Sequence, residues 1–183
     1  MRLAKYFSVA VLCLGISAGA DDKDQQRSRL SQQGQNSLAR EVRHELVMLP
    51  YYSVFDNLSF KVDPGGVVTL MGQVTRPTLK SDAENVTKKV EGVSRVVNNI
   101  EVLPTSSMDD QIRRAAYYTL FGQNSTLFRY GWGAVPPIHI IVNNGKITLY
   151  GVVNSEADKN TAGIRLNSLP NVFSVDNQLQ VEK

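Results

Sequence analysis

The sequence predicts an α+β protein built from two tandem αββαβ modules, each a three-stranded mixed sheet with two helices on one face. Three observations predict it: an internal repeat, period-two alternation at equivalent places in both copies, and apolar stripes at helical spacing around each alternating pair. Residues 66–102 of the 183-residue chain align without a gap onto residues 145–181, 79 positions later, and 11 of these 37 positions are identical. A repeat of this size marks two supersecondary units that each bury their own apolar face.

The alternating runs are VVTLMGQV and KITLYGVV. In them Val68, Leu70 and Val74, and likewise Ile147, Leu149 and Val153, share one face, the signature of a strand. Upstream, Leu58, Phe60 and Val62 match Ile138, Ile140 and Val142 as a preceding strand. Pro64-Gly65-Gly66 joins the pair in the first copy and Asn144-Gly145 in the second, and both read as hairpin turns. The turns differ by one residue, so this strand is offset by 80 rather than 79, and only that register keeps every apolar residue on one face. A helix follows each hairpin, with Ala83, Val86 and Val90 or Ala162, Leu166 and Leu169 facing inward. A closing strand carries Val96, Ile100 and Val102 or Val175, Leu179 and Val181. A helix also precedes each hairpin, with stripes Leu38, Val42, Leu46 and Ile112, Ala116, Leu120; Asp109 is placed as the cap of the second. The first module is assigned to residues 37–103, a linker to 104–108 and the second module to 109–183.

The amino terminus has a different character. Arg2 and Lys5 precede an apolar run from Tyr6 to Ile16, and Ala18-Gly19-Ala20 precedes Asp21 and Asp22. This is the layout of a secretory signal peptide, residues 1–20, with cleavage expected after Ala20. The run is too short to span about 30 Å of hydrocarbon. Cys13, the one cysteine, follows Leu12, which is too large for the small-residue site before a lipidated cysteine. Residues 21–36 are polar enough to be read as a disordered leader. Cleavage would remove two basic residues and no acidic ones, lowering the net charge from +3 to +1. The mature chain then carries no global basic field, so nucleic acid is not an expected partner, and the periplasm is the expected address.

The segments TLMGQV and TLYGVV, followed after a helix by GVSRVVNNIEV and NVFSVDNQLQV, resemble the BON domain family of exported bacterial proteins. The resemblance covers nearly the whole mature chain in two copies. It implies a periplasmic or envelope protein with phospholipid-binding tendencies, often linked to osmotic or envelope stress, and no catalytic residues or cofactor.

The residues agree that the chain is not an enzyme. There is no G-x-S-x-G elbow, no phosphate-binding glycine loop and no cysteine beyond Cys13. His44 and His139 have no second ligand spaced nearby, so no metal is expected. Gly72 and Gly151 are read as letting a helix approach the sheet or as marking a bulge. Asn98 and Asn177 lie on the apolar face of the closing strand, where a buried amide needs partners, and are read as making a shared backbone hydrogen bond.

Two surfaces are candidates for binding. On the helix that opens the second module, Arg113, Arg114, Tyr117, Tyr118 and Phe121 flank the apolar stripe, and the insert FGQNSTLFRYGWGAVPP adds Phe128, Arg129, Tyr130 and Trp132. Tyr and Trp favour the lipid headgroup boundary, and each Arg adds about 1 kcal/mol against an anionic surface. Arg113, Arg114, Tyr117, Tyr118, Phe121, Arg129 and Trp132 therefore form an expected lipid-facing patch, with the alternative that Phe121, Phe128 and Trp132 fold back into the core. The second surface is the sheet face away from the helices, where His139, Ile141, Tyr150 and Val152 would meet the other module, a second copy or an envelope protein. The expected function is thus association with an anionic phospholipid surface, with a periplasmic protein-interaction or chaperone-like module as the alternative; the partner is that surface or an envelope protein, and the oligomeric state is left open.

Overall fold

The computed structural model describes residues 20–133 and 135–182, so most of the expected signal peptide, with Cys13, lies outside the described residues. The order of elements is α1 (Ala20–Val47), β1 (Asn57–Asp63), β2 (Val67–Val74), α2 (Pro77–Lys89), β3 (Arg95–Asn98) and β4 (Glu101–Val102), and then the same series again. The second series is α3 (Ser107–Phe121), a 3-10 turn (Phe128–Gly131), β5 (Ile138–Asn143), β6 (Lys146–Val153), α4 (Glu156–Asn167), β7 (Ser174–Asn177) and β8 (Gln180–Val181).

Each sheet is mixed around its second strand. β1 pairs antiparallel with β2, and β3 and β4 both run parallel to β2. β5, β6, β7 and β8 repeat this arrangement. The offsets read from the sequence hold: Leu58 lies opposite Gly72 and Ile138 opposite Gly151, 80 and 79 positions apart. The two-residue turn has Asn144 at φ 50° and Gly145 at φ 73°, the left-handed pair that suits a tight hairpin.

The closing strand is interrupted in both copies, and the side chain of one asparagine accounts for the break. Asn98 accepts from the backbone N–H of Ile100 (3.1 Å) and donates to the Lys80 carbonyl of α2 (3.0 Å). Asn177 accepts from Leu179 N–H (3.3 Å) and donates to the Lys159 carbonyl of α4 (2.7 Å). The amide stands in for a rung of the ladder and ties the strand to the helix above it.

Three expectations are corrected here. Residues 21–36, read as a disordered leader, lie within α1. Low hydrophobicity bars that stretch from a core but not from a helix, since Gln, Lys and Arg lose little rotamer freedom there and no proline interrupts it. The cap of α3 is Ser106, whose hydroxyl accepts from Asp109 N–H (3.2 Å), so the helix starts inside the expected linker. Asp109 instead reaches the β5–β6 turn and accepts from Asn144 N–H (2.9 Å) and Gly145 N–H (2.8 Å). At Gly72 and Gly151, φ is 113° and 123°, and a Cβ at either would collide with the carbonyl oxygen of Asn57 or Pro137. The close neighbour is the adjoining backbone at the start of the hairpin, not a helix.

Residues Gln35–Lys183 form one compact unit holding two apolar cores. The first is centred on Leu46, Val68, Leu70, Leu79 and Ile100, the second on Leu120, Ile138, Ile140, Leu149 and Leu166. Full burial of each such side chain contributes about 1.5–3 kcal/mol.

Candidate functional site: an aromatic surface and the seam between the modules

The loop that links α1 to β1, Met48 to Asp56, belongs to the first module in sequence and to both in packing. Asp56 is fully buried and fixes the loop by accepting from Ser53 N–H (3.1 Å), Ser53 Oγ (2.7 Å), Thr75 N–H (2.7 Å) and Thr75 Oγ1 (2.9 Å). Held this way, Val54 enters the core of the second module, and its carbonyl accepts from Ile140 N–H of β5 (2.7 Å). Phe55 meets Tyr117 of α3 edge-on, with ring centroids 6.2 Å apart. Tyr52 packs on His139 of β5 at 5.5 Å. Aromatic pairs of this kind contribute about 0.5–1.5 kcal/mol beyond the area they bury. The segment Tyr51-Tyr52-Ser53-Val54-Phe55 is not legible as a contact site by periodicity or turn residues; its one signal in the sequence is its aromatic density.

These contacts decide the fate of the expected sheet-face interface. His139 is half-buried against Tyr52; burial lowers its pKa and outweighs the backbone of Asp56 and Ser53, so the ring is neutral at neutral pH. Ile141 is only 4% exposed and Tyr150 is half-buried, whereas Val152 stays 44% exposed. The four residues therefore do not form one open apolar surface. At the His139 end the neighbouring module is the occupant.

The expected lipid-facing patch is brought together only in part. Arg113 is 6% exposed; it pairs with Asp110 (2.5 Å) and donates to the Val142 carbonyl of β5 (2.7 Å). It clamps α3 to the sheet and cannot face a membrane, because its position beside Ile112 turns it toward β5. Phe121 is likewise buried in the core. Arg129 is exposed but bound to Asp158 (2.6 Å), with its guanidinium 4.9 Å from the centre of the Tyr130 ring. Burial alone would push the Asp158 carboxyl up, but the hydroxyls of Ser155 and Tyr130 and the Arg129 cation outweigh it, and its pKa is lowered.

Of the rest of the patch, Arg114, Tyr118 and Trp132 are exposed and Tyr117 is half-buried against the second core. Tyr118 and Trp132 are 70% and 66% exposed. Tyr117 lies edge-on between Tyr118 (5.8 Å) and Phe121 (5.2 Å), and Phe128 packs edge-on against Trp132 (5.4 Å). Between these groups Tyr117, Phe121, Phe128, Gly131 and Trp132 line a small groove of about 280 Å³. Arg114, one turn before Tyr118, is exposed and pairs with no carboxylate among the described residues. This arrangement can adsorb to an amphiphilic surface. It offers no nucleophile and base held together, and among the described residues no cluster of His, Cys, Asp and Glu is set to hold a metal ion.

None of the curated proteins matches the chain. Among solved structures, one titled as structural studies of CdsD, a structural protein of the type III secretion system of Chlamydia trachomatis, is similar at 15% identity and a TM-score of 0.31. That match covers 79% of this chain, which spans 64% of the length of the CdsD chain. The C-terminal domain of CdsD is similar at 13% identity and a TM-score of 0.28, over 80% of this chain and 98% of that one. The model of the BON domain matches residues 35–104 and again 127–183, the two segments that carry the repeated hairpin, helix and closing strand. On that doubled match the chain belongs to the BON domain family.

Proposed function

We propose that the protein is a non-catalytic, periplasmic component of the cell envelope that associates with anionic phospholipid surfaces through its second BON module, in osmotic or envelope-stress protection. The carrying observation is the pair of exposed aromatics, Tyr118 and Trp132, beside the unpaired cation Arg114. Exposed Trp and Tyr partition to the headgroup boundary, and a nearby arginine gives preference for negative lipid. Membership of the BON family, which is associated with envelope proteins and phospholipid binding, supports the same reading. The working residues are Arg114, Tyr117, Tyr118, Phe128 and Trp132, while Arg113 and Phe121 hold the platform. Export through the signal peptide with cleavage after Ala20 belongs to this reading, and the intact mass of protein recovered from the periplasm tests it.

The test is cosedimentation of the purified protein with vesicles of neutral or of anionic phospholipid at low and moderate salt. Pelleting is expected with anionic vesicles only, and it weakens as salt screens the charge. Arg114→Glu and Trp132→Ala should each weaken it at least about fivefold and leave the circular dichroism melt unchanged. Equal pelleting of both variants and the parent protein would sink the proposal, and no pelleting at all would move it to a protein partner.

A further inference from the structure

Between the two modules lies a cleft of about 690 Å³. This is within the range of small-molecule sites, about 300–1,000 Å³, and such sites are mostly apolar with a few placed polar groups. Leu46 and Val47 of α1 and Phe60 of β1 contribute to its lining from the first module, and Val135, Pro137 and Val152 from the second. Val135 and Val152 are 37% and 44% exposed, so both remain uncovered by either core. The lining shares no residue with the aromatic groove around Trp132.

The charges of the cleft are one-sided. Arg43 of α1 is exposed and lines it, and no aspartate or glutamate does. Among the described residues Arg43 forms no ion pair. Asp56 acts on both Tyr52 and His139 but has its two oxygens committed to four donors, two from Ser53 and two from Thr75. His139, its pKa lowered by partial burial against Tyr52, adds no second cation. A guanidinium without a partner beside apolar walls suits a ligand with one anionic head and one alkyl chain, since a carboxylate takes two parallel hydrogen bonds from arginine and a chain of methylenes needs none.

We propose that the cleft between the modules binds a long-chain fatty-acid anion, its alkyl chain along the Phe60, Val135 and Val152 walls and its carboxylate at Arg43. This is a site for a single dispersed amphiphile, distinct from the surface proposed to adsorb to bilayers, and either can stand without the other.

The test uses cis-parinaric acid, whose emission rises in an apolar site, titrated into the purified protein and displaced by palmitate. The intact protein should enhance the emission, and palmitate should reverse it. Val152→Trp, which fills an exposed position on the cleft wall, and Arg43→Glu should each weaken binding about tenfold or more while keeping the parent's melt and vesicle pelleting. Hexadecyltrimethylammonium, with the same chain and the opposite charge, should displace at least about ten times less well than palmitate. Trp132→Ala should bind as the parent does. Absent enhancement, equal displacement by the cation, binding unaltered by Arg43→Glu, or loss in Trp132→Ala with retention in Val152→Trp would overturn the proposal. Arg43→Glu, on an exposed helix position, carries the test if Val152→Trp fails to fold.

Discussion

At the end of the central strand the two modules face the same requirement and meet it with different chemistry. Thr75 and Asn154 are equivalent positions of the repeat, and the backbone N–H of each turns away from the ladder toward the loop ahead of the hairpin. In the first module it is received by the Asp56 carboxylate (2.7 Å), and in the second by the Tyr130 hydroxyl (2.8 Å). Tyr130 in turn donates to Asp158 (3.0 Å), which also binds Ser155 and Arg129. A partly buried amide that leaves the ladder needs another acceptor, but the fold leaves open which side chain supplies it. The core register is therefore repeated, whereas the polar anchors and the surfaces built on them are not.

The largest expected effect tests the anchor of the first module. Asp56→Ala leaves the donors of Ser53 and Thr75 without their acceptor and frees the loop that enters the second core; it should cost about 3 kcal/mol in urea unfolding. A cost below about 1 kcal/mol would mean that the loop holds its place without the carboxylate. Val54→Ala comes next, at about 2 kcal/mol. Because Val54 lies in the second core, this loss should appear as earlier unfolding of the second module, followed by the fluorescence of Trp132, the single tryptophan. If the second module unfolds unchanged, the two cores are independent and the modules merely adjacent.

Smaller effects sharpen the comparison. Asn98→Ala and Asn177→Ala should each cost about 1–2 kcal/mol, since both remove the same pair of backbone bonds. Asn98 also donates to Glu84 (3.0 Å), where the equivalent position of the second module is Gly163, so any excess should fall on Asn98→Ala. The smallest effect is in acid. The folded pKa of Asp158 is lowered, so its contribution is complete above the ordinary aspartate value of about 3.9 and is lost as pH falls through the folded value. Asp158→Asn should flatten the fall in melting temperature in that window; an unchanged acid slope would assign the acid sensitivity to other carboxylates.

The repeat and its alternation determined the fold by themselves. Period two fixes which face of a strand is buried, and a single residue of slip would turn Leu70 or Leu149 outward, so the hairpins and their unequal turns could be read directly. Side-chain direction around α3 could not. Arg113 and Arg114 are neighbours of the same chemical type, yet one is buried against the Val142 carbonyl and the other lies in solvent, because successive helical residues point about 100° apart and only the position of β5 says which is inside. Length, alternation and the doubled glycine turns are local properties and leave a trace in sequence. The entry of Val54 into a neighbouring core, the pairing of Arg129 with Asp158 and the cleft beside Arg43 join residues far apart along the chain, and only tertiary packing, within the second module for the ion pair and between the modules for the other two, decides them.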